Sequence, residues 1–113
     1  MNYSEALALV QSEFKTTKYA SNCYVIRTNK TYNGANGFCV TLYNKGDKVV
    51  LSDLGETKEI FDEVPKETWE SLCKENGFEF NRWSIENDFI SLDDVYEYID
   101  FLDKISDTYA VFE

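Results

Sequence analysis

Val49-Val50-Leu51-Ser52-Asp53-Leu54-Gly55-Glu56-Thr57-Lys58 passes from an apolar, β-branched segment into a small acidic turn. Valine and leucine in a short run suit a buried strand, and Asp53-x-x-Glu56 has the spacing of a capping box. In such a box the Asp53 carboxylate accepts the third helical amide while Glu56 reaches back to the Asp53 amide. The stretch is therefore read as a strand that ends where a helix begins.

Reading outward toward the N-terminus, Asn44-Lys45-Gly46-Asp47 carries tight-turn chemistry and joins residues 48–51 to the alternating Phe38, Val40, Leu42 against Cys39, Thr41, Tyr43. Residues 23–28, CYVIRT, form a third β-branched and aromatic segment across a loop at 29–37. These predict a three-stranded antiparallel meander. Ser4 and Glu5 before Leu7, Val10 and Phe14 predict an N-terminal amphipathic helix capped by Ser4.

Toward the C-terminus, two short helices are expected at 55–64 and 66–76, parted at Pro65, the second turning Trp69, Leu72 and Cys73 inward and stopping at Asn76-Gly77. Residues 78–85 return as one strand. Leu92, Val95, Ile99, Leu102 and Ile105 recur at helical spacing, with Ser91 as cap and Asp93 and Asp94 in the first turn, so 92–107 is the last helix. The order α-β-β-β-α-α-β-α predicts an α+β fold, a small antiparallel sheet of three to four strands packed against N- and C-terminal helices.

At 113 residues, 43% hydrophobic and 16% aromatic, with five glycines and one proline, the chain is expected to be a single domain spanning 1–113. Its apolar runs fall far short of the roughly 20 residues that cross a bilayer, and MNYSEALALVQSEF lacks the pattern of an export signal. Three cysteines, Cys23, Cys39 and Cys73, sit in apolar patterns without a C-x-x-C pair. A reduced, cytoplasmic protein with no membrane partner is the expectation. The chain has no histidine, which removes the commonest general base and transition-metal ligand. A non-enzymatic role without cofactors follows as the favoured expectation.

The segment also resembles a family of uncharacterised bacterial and phage domains in which a glycine-containing loop and two strands lead into a Leu-Ser-Asp-x-Gly-Glu-Thr signature. The matching residues are Gly37 to Tyr43, GFCVTLY, and Leu51-Ser52-Asp53-Leu54-Gly55-Glu56-Thr57. The resemblance covers roughly residues 20 to 60. Where the family loop is acidic, this chain has Asn33-Gly34-Ala35-Asn36-Gly37, with amides in place of carboxylates. The resemblance implies a compact α+β domain of prokaryotic or phage origin and supplies no activity.

Two functional classes remain. In the first, Asp47, Asp53 and Glu56 would hold a divalent metal, with Glu56-Thr57-Lys58 imitating the acid-x-lysine element of restriction-type nucleases and Lys58 stabilising charge at a phosphate. In the second, the charge distribution is decisive. The net charge is −10, with six basic and three acidic groups in 1–52, four and nine in 53–85, and one and nine in 86–113.

Asp93, Glu97, Asp100, Lys104 and Asp107 fall on one stripe of the last helix, with Asp94 and Asp103 beside it and carboxylates spaced roughly 5–6 Å apart. Glu63, Glu67 and Glu70 are expected to form a similar stripe on the preceding helix. Tyr96, Tyr98, Phe101 and Tyr109 are expected to frame the acids. Carboxylates steering a partner onto aromatic anchors suit a basic protein surface. Asp93, Asp94, Glu97, Asp100, Asp103, Asp107 and Tyr96 are thus the expected partner-binding residues. The expected partner is a nucleic-acid-binding enzyme, met as by a DNA-mimicking anti-restriction or anti-CRISPR inhibitor. Direct nucleic-acid binding is disfavoured, because the basic groups of 1–52 are scattered and the whole chain would be repelled by phosphates.

Overall fold

Gly46, at φ 65°, lets the chain reverse between Lys45 and Lys48, and this two-residue turn fixes a register that propagates through the sheet. Leu42 lies opposite Leu51 and Tyr43 opposite Val50. The computed structural model describes residues 1–32, 34 and 36–109. In chain order the elements are α1 (Tyr3–Gln11), β1 (Thr16–Ala20), β2 (Cys23–Ile26), β3 (Val40–Lys45), β4 (Lys48–Ser52), α2 (Glu56–Ile60), α3 (Lys66–Glu75), β5 (Glu79–Asn81), β6 (Ser84–Asp88) and α4 (Leu92–Tyr109).

The α+β class is as expected, and the meander β2-β3-β4 is its centre. The sheet, however, has six strands in the order β1-β2-β3-β4-β6-β5, every neighbouring pair antiparallel. Two features account for the extra strands. β1, TTKYA, is an edge strand whose three central residues are exposed, so it carries no apolar alternation. The single strand expected at 78–85 is instead the hairpin β5-β6, which turns at Arg82-Trp83 with both residues at positive φ.

Side chains alternate across a sheet, so the register sorts them onto two faces. Ile26, Val40, Leu42, Leu51 and Ile85 share one face, and these strand residues enter the hydrophobic core. The helices complete that core with Ala6 and Val10 from α1, Trp69 and Cys73 from α3, and Val95, Tyr98, Ile99, Phe101, Leu102 and Ile105 from α4. Each such aliphatic side chain taken from water contributes about 1.5–3 kcal/mol. The opposite face carries Val25, Thr41, Tyr43, Ser52 and Glu86.

Helix boundaries also differ in detail. Asn2, not Ser4, caps α1: its side chain accepts the Glu5 N–H at 2.8 Å while Glu5 accepts the Asn2 N–H at 3.1 Å. The helix expected at 55–64 is only the short α2. Glu63 therefore lies outside any helix, and the expected second acidic stripe reduces to exposed Glu67 and Glu70 on α3. Within the amide-rich loop, Asn33 and Ala35 lie outside the described residues.

Candidate acidic interface

α4 begins where Asp94 folds back to accept the N–H groups of Ile90 at 2.7 Å and Ser91 at 2.9 Å. Both bonds use Oδ2, so that oxygen closes the first turn. The helix then buries seven residues on one arc and exposes Asp93, Glu97, Asp100 and Asp107 on the other. Asp103 is held by Lys30 at 2.6 Å. Lys104 donates to Asn76 at 3.2 Å, and no ion pair joins it to a carboxylate among the described residues. Of the seven expected site residues, Asp93, Glu97, Asp100 and Asp107 thus form the open ridge, while Asp94 and Asp103 are engaged within the fold.

Beside this ridge is a hollow of about 540 Å³ whose lining includes Asp94, Glu97, Asp100, Lys104, Phe78 and Phe101. The two rings are stacked with centroids 4.4 Å apart. Three carboxylates against one lysine leave this hollow net negative, so it attracts a cation. Tyr96, 46% exposed, stands on the ridge and packs on Phe14 at 5.4 Å between centroids. The expectation that Tyr98 and Phe101 frame the acids is corrected, since both are buried in the core and the Tyr98 hydroxyl donates to the Ile85 carbonyl at 2.6 Å. Tyr109 is half-buried against Phe61 and Trp69.

Asp53 has a structural position. It is fully buried, and its carboxylate accepts three backbone N–H groups: Gly55 at 3.0 Å, Ile85 at 2.9 Å and Thr57 at 3.2 Å. Burial pushes its carboxyl above the usual carboxylate range, opposed by the hydrogen bonds from Thr57, Ile85 and Gly55. A buried relay continues outward. The Thr57 hydroxyl meets the Tyr32 hydroxyl at 2.6 Å, and the Ser106 hydroxyl of α4 donates to the Tyr32 carbonyl. Asp53 holds the turn but is not the expected N-cap: Gly55 occupies that position, and the Asp53 carboxylate accepts the Thr57 amide in place of the Glu56 amide, which bonds the Asp53 carbonyl. The reciprocal half of the box is absent: Glu56 is exposed, and Leu54 and Gly55 adopt left-handed backbone before α2.

The proposed nuclease ligands are consequently not assembled. Asp47 and Asp53 flank β4 at opposite ends, about 20 Å apart by the rise of an extended strand. Lys58 lies over the Trp83 ring, its Nζ 5.0 Å from the centroid. Among the described residues, no group of three histidine, cysteine or acidic side chains could hold a metal.

Sequence reasoning missed that lysine–tryptophan cluster and the buried relay. Arg82 and Trp83 looked like strand interior, and no local pattern ties Asp53 to Ile85. Compared with family models, curated proteins and solved structures, the chain matches none. A functional assignment must therefore rest on the residues themselves.

Proposed function

We propose that this is a non-enzymatic interaction protein that presents the α4 ridge to the basic groove of a nucleic-acid-handling enzyme and thereby inhibits it. Asp93, Glu97, Asp100 and Asp107 supply the charges, and Tyr96 supplies apolar contact at their side. The supporting observation is that these four carboxylates are exposed along one helical line and none is ion-paired among the described residues. Like charges three and four residues apart cost a few tenths of a kcal/mol per pair, a penalty that Lys104 relieves between Asp100 and Asp107 and that no lysine relieves from Asp93 through Glu97 to Asp100. The hollow lined by Asp94, Glu97 and Asp100 would receive an arginine or lysine of the partner's phosphate-binding track. Such an activity is of the anti-restriction or anti-CRISPR type, consistent with a phage or mobile-element origin.

The test is affinity capture from a bacterial lysate on wild-type protein beside the triple variant Asp93→Lys, Glu97→Lys, Asp100→Lys. At about 0.1 M salt the screening length is roughly 10 Å, and it shrinks severalfold at higher salt. A basic nucleic-acid enzyme retained at low salt on wild type, released at high salt and absent from the folded triple variant is the expected result. Equal retention on both columns would reduce the ridge to a solvated face.

A further inference from the structure

A second surface, built from residues that α4 does not supply, lies at the tip of the β5-β6 hairpin. Two-residue hairpins favour Asn-Gly, because both central residues adopt positive φ. Here the positions are Arg82 at φ 49° and Trp83 at φ 72°. The neighbouring Leu54 is also left-handed, at φ 54°. Folding alone does not call for bulky side chains in this backbone, yet Trp83 is 48% and Leu54 41% exposed. Strained backbone that displays apolar groups to water is common at binding surfaces.

Three cations gather at this point within an otherwise acidic stretch of the chain. Lys58 and Lys66 both place their ammonium groups over the Trp83 ring, at 5.0 and 5.3 Å from its centroid, and exposed Arg82 adjoins it. Two hollows of about 450 and 470 Å³ share Leu54 and Arg82. One runs toward Trp83 and Lys58, and the other crosses the sheet face toward Tyr43 and Ser84. Glu59 and Asp62 also line the first hollow, with no ion pair to Lys58, Lys66 or Arg82 among the described residues, and Glu86, paired with Lys45 at 3.0 Å, lines the second.

We infer that this groove is a docking site for an acidic peptide segment of a partner protein, with an aliphatic or aromatic side chain seated on Leu54 and Trp83 and carboxylates meeting Arg82, Lys58 and Lys66. A single-stranded nucleic acid fits less well. Three cations in a chain of net charge −10 do not offset the long-range repulsion of a phosphate polymer, whereas a short peptide presents only a few charges. Joined end to end, the hollows make a path suited to an extended chain, and an exposed tryptophan and arginine are the side chains that most often dominate such contacts.

The experiment is selection from a displayed library of random peptides on the full chain, followed by affinity measurement with the enriched peptides and with oligothymidylate. Three variants accompany the wild type. Arg82→Asn/Trp83→Gly restores the preferred turn pair, Lys58→Glu/Lys66→Glu reverses the charge, and Asp93→Lys/Glu97→Lys/Asp100→Lys alters only α4. Enrichment of acidic peptides containing an aromatic or aliphatic residue is expected, with binding weakened at least about tenfold by each of the first two variants and unchanged by the third. Cooperative melting of each variant confirms that it is folded. Absence of acidic enrichment, or equal binding by Lys58→Glu/Lys66→Glu, would overturn the inference. Oligothymidylate binding with the same variant dependence would replace the peptide with nucleic acid. Because α4 is untouched by the first two variants, failure here is distinguishable from failure of the proposed function.

Discussion

The Asp53 carboxylate accepts the backbone N–H of Ile85 at 2.9 Å, joining the end of β4 to a strand that begins thirty-one residues later. The Ile85 carbonyl in turn accepts the Tyr98 hydroxyl, so a single residue of β6 is held from the loop on one side and from α4 on the other. Replacing Asp53 with Asn offers one carbonyl oxygen to three N–H donors and turns an NH₂ group toward the rest. The expected loss is about 1–3 kcal/mol in urea unfolding.

That difference depends on pH, with a definite sign. Burial raises the folded Asp53 carboxyl above its ordinary 3.8, so the folded chain holds this proton more tightly than the unfolded one. The corresponding stabilisation is complete below the unfolded value and is lost as pH climbs through the folded one. Wild type minus Asp53→Asn should therefore be largest at acid pH and shrink as pH rises above about 4. A gap that widened with rising pH would show that the three amide donors outweigh burial.

Gly55 sits at φ 80°, beside the Trp83 carbonyl. An added Cβ would lie 3.6 Å from that oxygen, an ordinary contact, so Gly55→Ala introduces no clash. Its cost is conformational alone, about 1 kcal/mol. The denaturation midpoint should fall at unchanged slope. A loss several times larger would mean that the hairpin tip and the α2 turn pack more tightly than this spacing implies.

Much of this fold is legible because its central elements obey short-range rules. The Asn-Lys-Gly-Asp turn and the alternation of 38–43 specify β3 and β4, and the 3.6-residue period of Leu92 to Ile105 specifies α4. What escapes is set by tertiary context. β1 has no apolar face to read, and Arg82-Trp83 occupies a hairpin turn without turn residues. Tyr98 and Phe101 entered the core because α4 packs a broad arc against both Phe78 and β6, where a periodic seam marks only its centre line. At the candidate interface, charge spacing identified the exposed Asp93, Glu97, Asp100 and Asp107. It could not foresee that Asp94 turns back to the backbone or that Lys30, seventy-three residues from Asp103, reaches across to it.

All three cysteines should be unreactive in the native protein. Burial pushes the Cys39 thiol up to about 12, with the charges of Asp53 and Glu56 adding to it, and Cys73 likewise to about 12 through burial and Asp53. Cys23 is also raised by burial, against a lowering hydrogen bond with Thr41. At about pH 8 the thiolate fraction of Cys39 and Cys73 is on the order of one in ten thousand. A disulfide reagent should label none in buffer and all three in denaturant. Rapid native labelling at Cys39, the least enclosed of the three, would reveal opening of the segment that precedes β3.

The exposed ridge predicts a gain of stability on losing charge. Glu97 stands four residues after Asp93 and three before Asp100, so it repels in both directions. Glu97→Lys converts both repulsions to attractions and should stabilise the chain by about 0.8–2 kcal/mol at low salt, since each helical pair is worth roughly 0.2–0.5 kcal/mol in either sense. High salt should erase most of that gain, because the side chains are exposed and screened. A binding surface is expected to carry such a penalty: the variant would be the more stable protein and the weaker partner. Urea melts at two salt concentrations, run beside the capture experiment, measure both. No gain at low salt would show that solvent already screens the ridge, removing the energetic support for its selection as an interface.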